Sequence, residues 1–134
     1  MIRSFLDPAP NLDGKAILVT GGTGSFGKAF VRTVLQRSKP SRLIIFSRDE
    51  LKQYEMNQDL GNQEYPCLRY FIGDVRDQAR LEMAMAGVDY VVHAAALKHV
   101  PIAEYNPFEC IQTNIIGAEN VVRAALNKGV KRIV

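Results

Sequence analysis

Apolar residues follow two rhythms along this chain, and the rhythms alternate. Ala16 to Thr20 (AILVT) is a short unbroken apolar run that ends in a glycine cluster, the pattern of a strand buried on both faces. From Phe26 the apolar positions are Phe26, Phe30, Val31, Val34 and Leu35, one stripe of a helix. That helix should end ahead of Lys39-Pro40, because proline disfavours helical backbone in the residue before it. The alternation then repeats: strand Leu43 to Phe46, polar helix Asp49 to Leu60 closed by Gly61, strand Leu68 to Ile72, helix Arg76 to Met85, strand Val88 to His93. Asn106-Pro107-Phe108-Glu109 marks the start of the last helix with an N-cap, a proline at the first helical position and the reciprocal glutamate of a capping box. It should run to Asn127, with Gly129 as its stop. Lys131 to Val134 opens a fifth strand inside which the sequence stops, so the chain reads as cut rather than finished. Strands alternating with helices over short loops predict an α/β fold with a doubly wound parallel sheet, truncated in its fifth strand.

Composition narrows the classes. At about 150 residues per domain, 134 residues support one core, expected from Gly14 to Val134 behind a loosely held arm, Met1 to Asp13. With 47% hydrophobic and 23% charged residues, disordered, collagenous and disulfide-scaffold classes are set aside. No apolar run approaches the roughly 18 to 20 residues of a membrane span, and Asp7, Pro8 and Pro10 occupy the stretch a signal peptide would keep apolar. The expectation is a cytoplasmic protein with no membrane partner. The charge is +3, but lysines and arginines are scattered singly, which predicts a solvated surface and no nucleic-acid partner. Cys67 and Cys110 form no CxxC and have no histidine at zinc-ligand spacing, and His93 and His99 lack the i, i+4 spacing of a helical metal pair. The cysteines are expected as buried reduced thiols, and no metal is assigned.

Thr20-Gly21-Gly22-Thr23-Gly24-Ser25-Phe26-Gly27 lies between the first strand and the first helix. Gly22, Gly24 and Gly27 satisfy G-x-G-x-x-G; Gly21, Gly24 and Gly27 satisfy G-x-x-G-x-x-G. Backbone without Cβ can approach a pyrophosphate closely, and the helix N-terminus aims free N–H groups at it. Thr23 and Ser25 add hydroxyl donors. In this strand-loop-helix context the motif predicts a dinucleotide site on a Rossmann fold; the bland alternative is a glycine-rich turn. Where an acidic residue would bind the ribose 2′-OH of NAD, the chain reads Ser47-Arg48-Asp49-Glu50. Arg48 offers a fork of donors suited to a 2′-phosphate, with Ser47 and Lys52 beside it, which favours NADP. The alternatives are that Ser47 and Glu50 only cap the next helix, or that Asp49 imitates the acidic residue of an NAD site.

Three further positions are open on spacing alone. Asp74, in Gly73-Asp74-Val75, could meet the adenine amino group or cap the helix from Arg76. Small residues in His93-Ala94-Ala95-Ala96-Leu97-Lys98 would let a flat cofactor lie against the strand end, and Lys98 is either near the cleft or an ordinary loop lysine. Asn114 is a poor helix-interior residue that shares a face with Cys110, Gly117, Ala118 and Val121. On the sheet-facing side its amide needs a partner, and a tie to backbone is favoured over a role under the active site.

The runs TGGTGSFGKAF, SRDELKQYEM, FIGDVRD and HAAALKHVPIAEYNPFECIQTNIIGAENV resemble the inverting UDP-N-acetylglucosamine 4,6-dehydratases, extended short-chain dehydrogenase/reductases that begin pseudaminic-acid and related surface-sugar pathways. The resemblance covers Gly14 to Val134 and extends to the family's N-terminal half only. The larger membrane-anchored relatives typically carry a GAGGSIG-like loop, so GGTGSFG implies the short soluble branch. It implies that Thr23, Gly24, Ser25 and Phe26, within the Gly21 to Gly27 loop, hold the pyrophosphate of NADP, and that Ser47, Arg48, Asp49, Glu50, Leu51 and Lys52 hold its 2′-phosphate. Asp74 and Val75 would flank adenine, Ala94 would line the cofactor, Lys98 would reach cofactor and substrate, and Thr113 and Asn114 would lie on the nicotinamide side. The partner implied is a UDP-sugar, and the whole protein is expected to be a homo-oligomer.

Short-chain dehydrogenase chemistry needs a tyrosine base with a lysine four residues on. Tyr54 is followed by Gln58, Tyr65 by Arg69, Tyr70 by Asp74, Tyr90 by Ala94 and Tyr105 by Glu109, so these residues contain no such pair and no catalytic residue is assigned among them. Two classes remain: the cofactor-binding portion of an NADP-dependent sugar-nucleotide dehydratase, inactive alone, or a non-catalytic dinucleotide-binding or redox-sensing module.

Overall fold

The computed structural model describes residues 10–134; most of the expected arm, residues 1–9, lies outside the described residues. Five strands form one sheet, β1 (Ala16–Thr20), β2 (Arg42–Ser47), β3 (Leu68–Ile72), β4 (Tyr90–His93) and β5 (Arg132–Ile133), in the order β3-β2-β1-β4-β5. Every pair is parallel. The doubly wound Rossmann sheet expected from the alternation is therefore the observed one, with the strand order reversing between β1 and β4.

Helices on both faces explain why Ala16–Val19 of β1 and Leu43–Phe46 of β2 are unbroken apolar runs. Ile17, Val19, Leu43, Ile45 and Leu68 pack with Val31 and Val34 of α1 (Ser25–Arg37) and Met56 of α2 (Glu50–Asp59). The alternate residues Leu18, Ile44, Phe46 and Val91 pack on the other face with Leu81 and Ala84 of α3 (Gln78–Ala84) and Val121, Ala124 and Ala125 of α6 (Gly117–Lys128). A strand with two apolar faces has no solvent side, so the period-2 alternation of an open sheet is missing.

Several local expectations are corrected. At the described end of the arm, Leu12 packs against the α1/α2 core. Asp13 adds to this by accepting from Lys39 N–H at 2.7 Å. Helix α3 begins two residues later than expected, because Asp77, not Asp74, accepts from Arg80 N–H and caps it. A short helix α4 (Val100–Tyr105) precedes α5 (Pro107–Ile111). The capping box does not form: the Asn106 amide turns back to donate to Ile102 O at 2.9 Å, and Glu109 pairs with Arg76 at 2.7 Å. Nor is the last helix uniform. Gln112–Ile116 is π-helical between α5 and α6, with Gly117 N–H donating to Gln112 O. The stop at Gly129 is as expected. Among the described residues no helix is long and apolar enough to cross a membrane.

Candidate functional site

A cleft of about 420 Å³ lies at the carboxyl ends of the strands, where the sheet order reverses. Its base is the glycine loop. Gly21 has φ +64°, and a Cβ there would lie 2.8 Å from Ala94 O, so loop and β4 exit touch main chain to main chain. Gly24 N–H donates to Gly21 O at 3.0 Å, closing the turn that delivers the chain into α1. That helix has Gly24 at its N-cap, no side-chain cap and no acidic residue in its first turn. Its first N–H groups therefore have no partner among the described residues, and Thr23 and Gly24 beside them line the cleft. Gly27 is buried against Gly22. Of the predicted loop residues, Ser25, Phe26 and Gly27 do not line the cleft. The Phe26 ring stacks on Phe30 at 6.0 Å and faces a separate apolar hollow, leaving its main chain as the part that can meet a ligand.

At the end of β2 the polar residues sort themselves. Ser47, Arg48, Asp49 and Lys52 line the cleft, whereas Glu50 and Leu51 are exposed outside it. Asp49 is the α2 N-cap: its carboxylate accepts from Lys52 N–H at 3.0 Å and lies 3.8 Å from Lys52 Nζ. It is thus engaged by α2, and the alternative in which Ser47 and Glu50 cap this helix is not what the structure shows. Ser47 Oγ accepts from Gln53 Nε2 at 2.9 Å. Gln53, also hydrogen-bonded to Ser47 O and Phe71 O, is a buried support that sequence reading missed; its signal was a polar residue three positions from Met56 on the buried side of α2. Arg48 is half exposed, with Nη1 3.9 Å from Asp74.

Asp74 and Val75 line the adjoining wall. The Asp74 carboxylate accepts from Arg76 N–H at 2.9 Å, Nε at 3.1 Å and Nη2 at 2.9 Å. Burial raises its pKa, but the Arg76 hydrogen bonds and charge, helped by Arg48, outweigh that and hold it below the usual carboxylate range. The choice between capping and cleft resolves geometrically: Asp74 organises the turn through Arg76 and faces the cleft, and Asp77 does the capping.

The opposite wall is the β4 exit. Thr20 Oγ1 meets Ala94 N–H at 3.1 Å, Ala95 N–H at 3.3 Å and His93 Nδ1 at 2.7 Å. Neither Thr20 nor His93 was a sequence candidate, although a threonine closing an apolar strand beside the glycines was the available signal. Lys98 is exposed and lines the cleft with Ala94. Asn114 is exposed, not sheet-facing: the π turn puts Thr113 in its place on the buried side with Gly117. Its amide makes the backbone tie favoured by the sequence, accepting from Leu97 N–H at 2.8 Å and donating to Leu97 O at 3.1 Å. Thr113 lines the cleft, is buried, and its Oγ1 has no partner among the described residues. A buried hydroxyl without a partner is costly unless a ligand or water supplies one. Cys67 and Cys110 are unpaired and half-buried, less covered than expected.

Asn114→Ala should lower stability by about 1–2 kcal/mol, two net hydrogen bonds at an exposed site. It should also speed amide exchange at Leu97. Unchanged exchange at that amide would show that the Ala94–Lys98 loop holds its shape without the fork.

Similarity to known proteins fits this geometry. The family model for polysaccharide biosynthesis proteins matches residues 17–134. A UDP-N-acetylglucosamine 4,6-dehydratase (inverting) of Campylobacter jejuni is 58% identical over 122 residues, which are 91% of this chain and 36% of that protein. The X-ray structure of Pen from Bacillus thuringiensis matches with a TM-score of 0.86 at 43% identity, covering 91% of this chain and 37% of that one. DesIV, a dTDP-glucose 4,6-dehydratase of Streptomyces venezuelae solved with NAD and TYD bound, matches with a TM-score of 0.75 at 29% identity, over 88% of this chain and 38% of its own. The chain thus spans little more than a third of the length of these relatives. With the family match running from β1 through β5, the chain belongs to the polysaccharide biosynthesis protein family.

Proposed function

We propose that the chain is the NADP-binding portion of a C5-inverting UDP-N-acetylglucosamine 4,6-dehydratase serving nucleotide-sugar and surface-polysaccharide synthesis. The 58% likeness to the Campylobacter jejuni enzyme carries the choice of reaction. What supports a dinucleotide in the cleft is its donor set: an uncapped helix N-terminus, bare main chain at Gly21, and the partnerless Thr113 hydroxyl. An anionic pyrophosphate fits the first of these, since free N–H groups and the helix dipole both favour negative charge.

In this reading Thr23, Gly24 and the first-turn N–H groups at Ser25, Phe26 and Gly27 hold the pyrophosphate. Arg48 and Lys52, with Ser47 beneath them, hold the 2′-phosphate. Asp74 and Val75 flank adenine, Ala94 lies against the cofactor, and Thr113 binds on the nicotinamide side. Lys98 reaches between cofactor and UDP-sugar. Asn114 acts through Leu97, keeping the loop that carries Lys98 in place. When bound, the cofactor supplies a hydride acceptor and donor. In that reaction the sugar would be oxidised at C4, one water would be eliminated as the C5 proton and the C6 hydroxide, and hydride would return to C6; reprotonation of C5 on the opposite face would invert that centre. The acid and base for those steps are not among these residues, which contain no Tyr-x-x-x-Lys.

The test is to incubate the protein carrying this chain with UDP-N-acetylglucosamine and NADP⁺ in deuterated water. A 4-keto-6-deoxy product with inverted, deuterium-labelled C5 is expected. Tight nucleotide binding without that product would favour a binding or sensing module instead.

A further inference from the structure

We propose that His93 is a positioning residue for the nucleotide: as a neutral imidazole it locks, through Thr20, the Ala94–Ala95 main chain that walls the cleft, and its protonation loosens that wall. The inference rests on the dinucleotide reading above and goes beyond it by naming a proton-sensitive support outside the cleft's lining.

Thr20 and His93 are register partners at the ends of β1 and β4. The Thr20 hydroxyl has one proton and two acceptor sites. Ala94 N–H, which it shares with the Thr20 carbonyl at 3.2 Å, and Ala95 N–H occupy both acceptor sites. The proton is then left for His93 Nδ1, 2.7 Å away, which fixes Nδ1 as acceptor and places the ring proton on Nε2. The opposite tautomer would ask the hydroxyl to accept three bonds and leave its own proton unused. An imidazolium has a proton on both nitrogens, so Thr20 would have to rotate, freeing Ala95 N–H or leaving Ala94 N–H to the Thr20 carbonyl alone. Ala94 and Ala95 line the cleft, and Ala94 O is the atom against which Gly21 is pressed. Movement there passes directly to the phosphate loop.

The charged surroundings leave the imidazole to burial alone, which pushes its pKa below the usual histidine value. β1 contributes no ionisable residue, β5 contributes exposed Arg132, and the main-chain oxygen of Val134 just after it accepts from His93 N–H at 2.7 Å. Val91, two residues earlier on the same face, packs against α3 and α6. The ionisable residues of those helices are engaged or exposed: Arg80 lies over Phe71, Glu82 accepts from Gln78 and Asn127, Glu119 pairs with Arg123, and Lys128 is exposed. Lys98 and His99 of the following loop are exposed as well. With a lowered folded-state pKa, the neutral, locked form is present at and above the ordinary histidine value, and its contribution is lost as pH falls through the lowered one.

The experiment is calorimetric titration of NADP⁺ into the protein carrying this chain from pH 7.5 to 5.0, for the natural residue and for His93→Asn. An asparagine amide oxygen can take the Thr20 proton and does not titrate. Affinity at pH 7.5 should be kept in His93→Asn, while the natural protein should lose about five-fold more affinity on acidification, the worth of one net hydrogen bond. Any slope common to both belongs to the 2′-phosphate, whose second pKa is about 6. His93→Leu should bind more weakly at every pH. Nitrogen NMR of the unliganded protein should show His93 protonated at Nε2 only, a readout that needs neither ligand nor variant. A proton on Nδ1, or identical pH slopes for the natural residue and His93→Asn, would overturn the inference. Absence of NADP⁺ binding at pH 7.5 would instead defeat the dinucleotide reading, and this role with it.

Discussion

Gly27→Ala is expected to reduce NADP⁺ affinity by about a hundred-fold or more and to destabilise the fold by about 1–3 kcal/mol. An alanine Cβ at this position would lie 2.5 Å from the Cα, carbonyl carbon and oxygen of Gly22, all of them backbone, so no side-chain rotation relieves the overlap. Gly22 cannot retreat either. It is buried, and its own Cβ position is 2.8 Å from Ile45 Cγ2 and 3.1 Å from Val19 Cγ1, so the core of β1 and β2 lies directly behind it. What yields must be α1, and moving α1 off the loop withdraws its uncapped N–H groups from the place where the pyrophosphate rests. Two charge-assisted hydrogen bonds lost at about 1.5–3 kcal/mol each account for the binding loss. Gly24→Ala is the internal control: its nearest contact is Gly21 O at 3.3 Å, a smaller adjustment, so it should bind better than Gly27→Ala. Urea unfolding and calorimetry together check both effects. Wild-type affinity in Gly27→Ala would mean that the ligand does not use the junction of loop and helix.

The parts of this fold that could be read from sequence are those fixed by neighbours in the chain. AILVT announces a strand with two covered faces because its first four residues are all apolar, and the glycines after it announce a turn because nothing else is small enough. Gly129 ends its helix for an equally local reason. The misreadings share a different cause. Asn106 and Glu109 have the spacing of a capping box, yet Glu109 finds Arg76, 33 residues away, and Asn106 finds Ile102. An ion pair between the β3 exit and α5 depends on which loops the sheet brings together, and spacing carries no record of that. The π stretch is similar: an extra residue per turn moves Asn114 off the buried face and Thr113 onto it, so a face read at 3.6 residues per turn comes out rotated. In the cleft, residue types were legible and their engagements were not. Ser47, Asp49 and Asp74 were each recognised as polar groups at strand ends, but only the fold shows Ser47 held by Gln53, Asp49 by its own helix and Asp74 by Arg76.

Those engagements decide the second large effect, the loss of cofactor preference in Arg48→Ala. An NAD site needs a free carboxylate for the ribose 2′-OH. Asp49, the acidic residue at the right distance from the glycines, instead spends its carboxylate on Lys52 N–H and lies beside Lys52 Nζ. Arg48, whose side chain is 57% exposed, projects at the cleft mouth with Asp74 3.9 Å behind it, close enough to orient the guanidinium and too far for a strong bond. A 2′-phosphate arriving there meets two cations and a carboxylate already in use. The natural protein should therefore prefer NADP⁺ to NAD⁺. Arg48→Ala should weaken NADP⁺ about ten- to thirty-fold, one charge-assisted hydrogen bond at a solvent-exposed site, while changing NAD⁺ little. Because the site is open, the effect should shrink as ionic strength rises past the point where the screening length falls below about 8 Å; a buried contact would not respond in that way. Calorimetric titrations of both nucleotides at two salt concentrations separate the cases. Equal affinities for the two nucleotides, unmoved by the substitution, would mean that the strand-end arginine faces solvent and that ribose selection is made elsewhere.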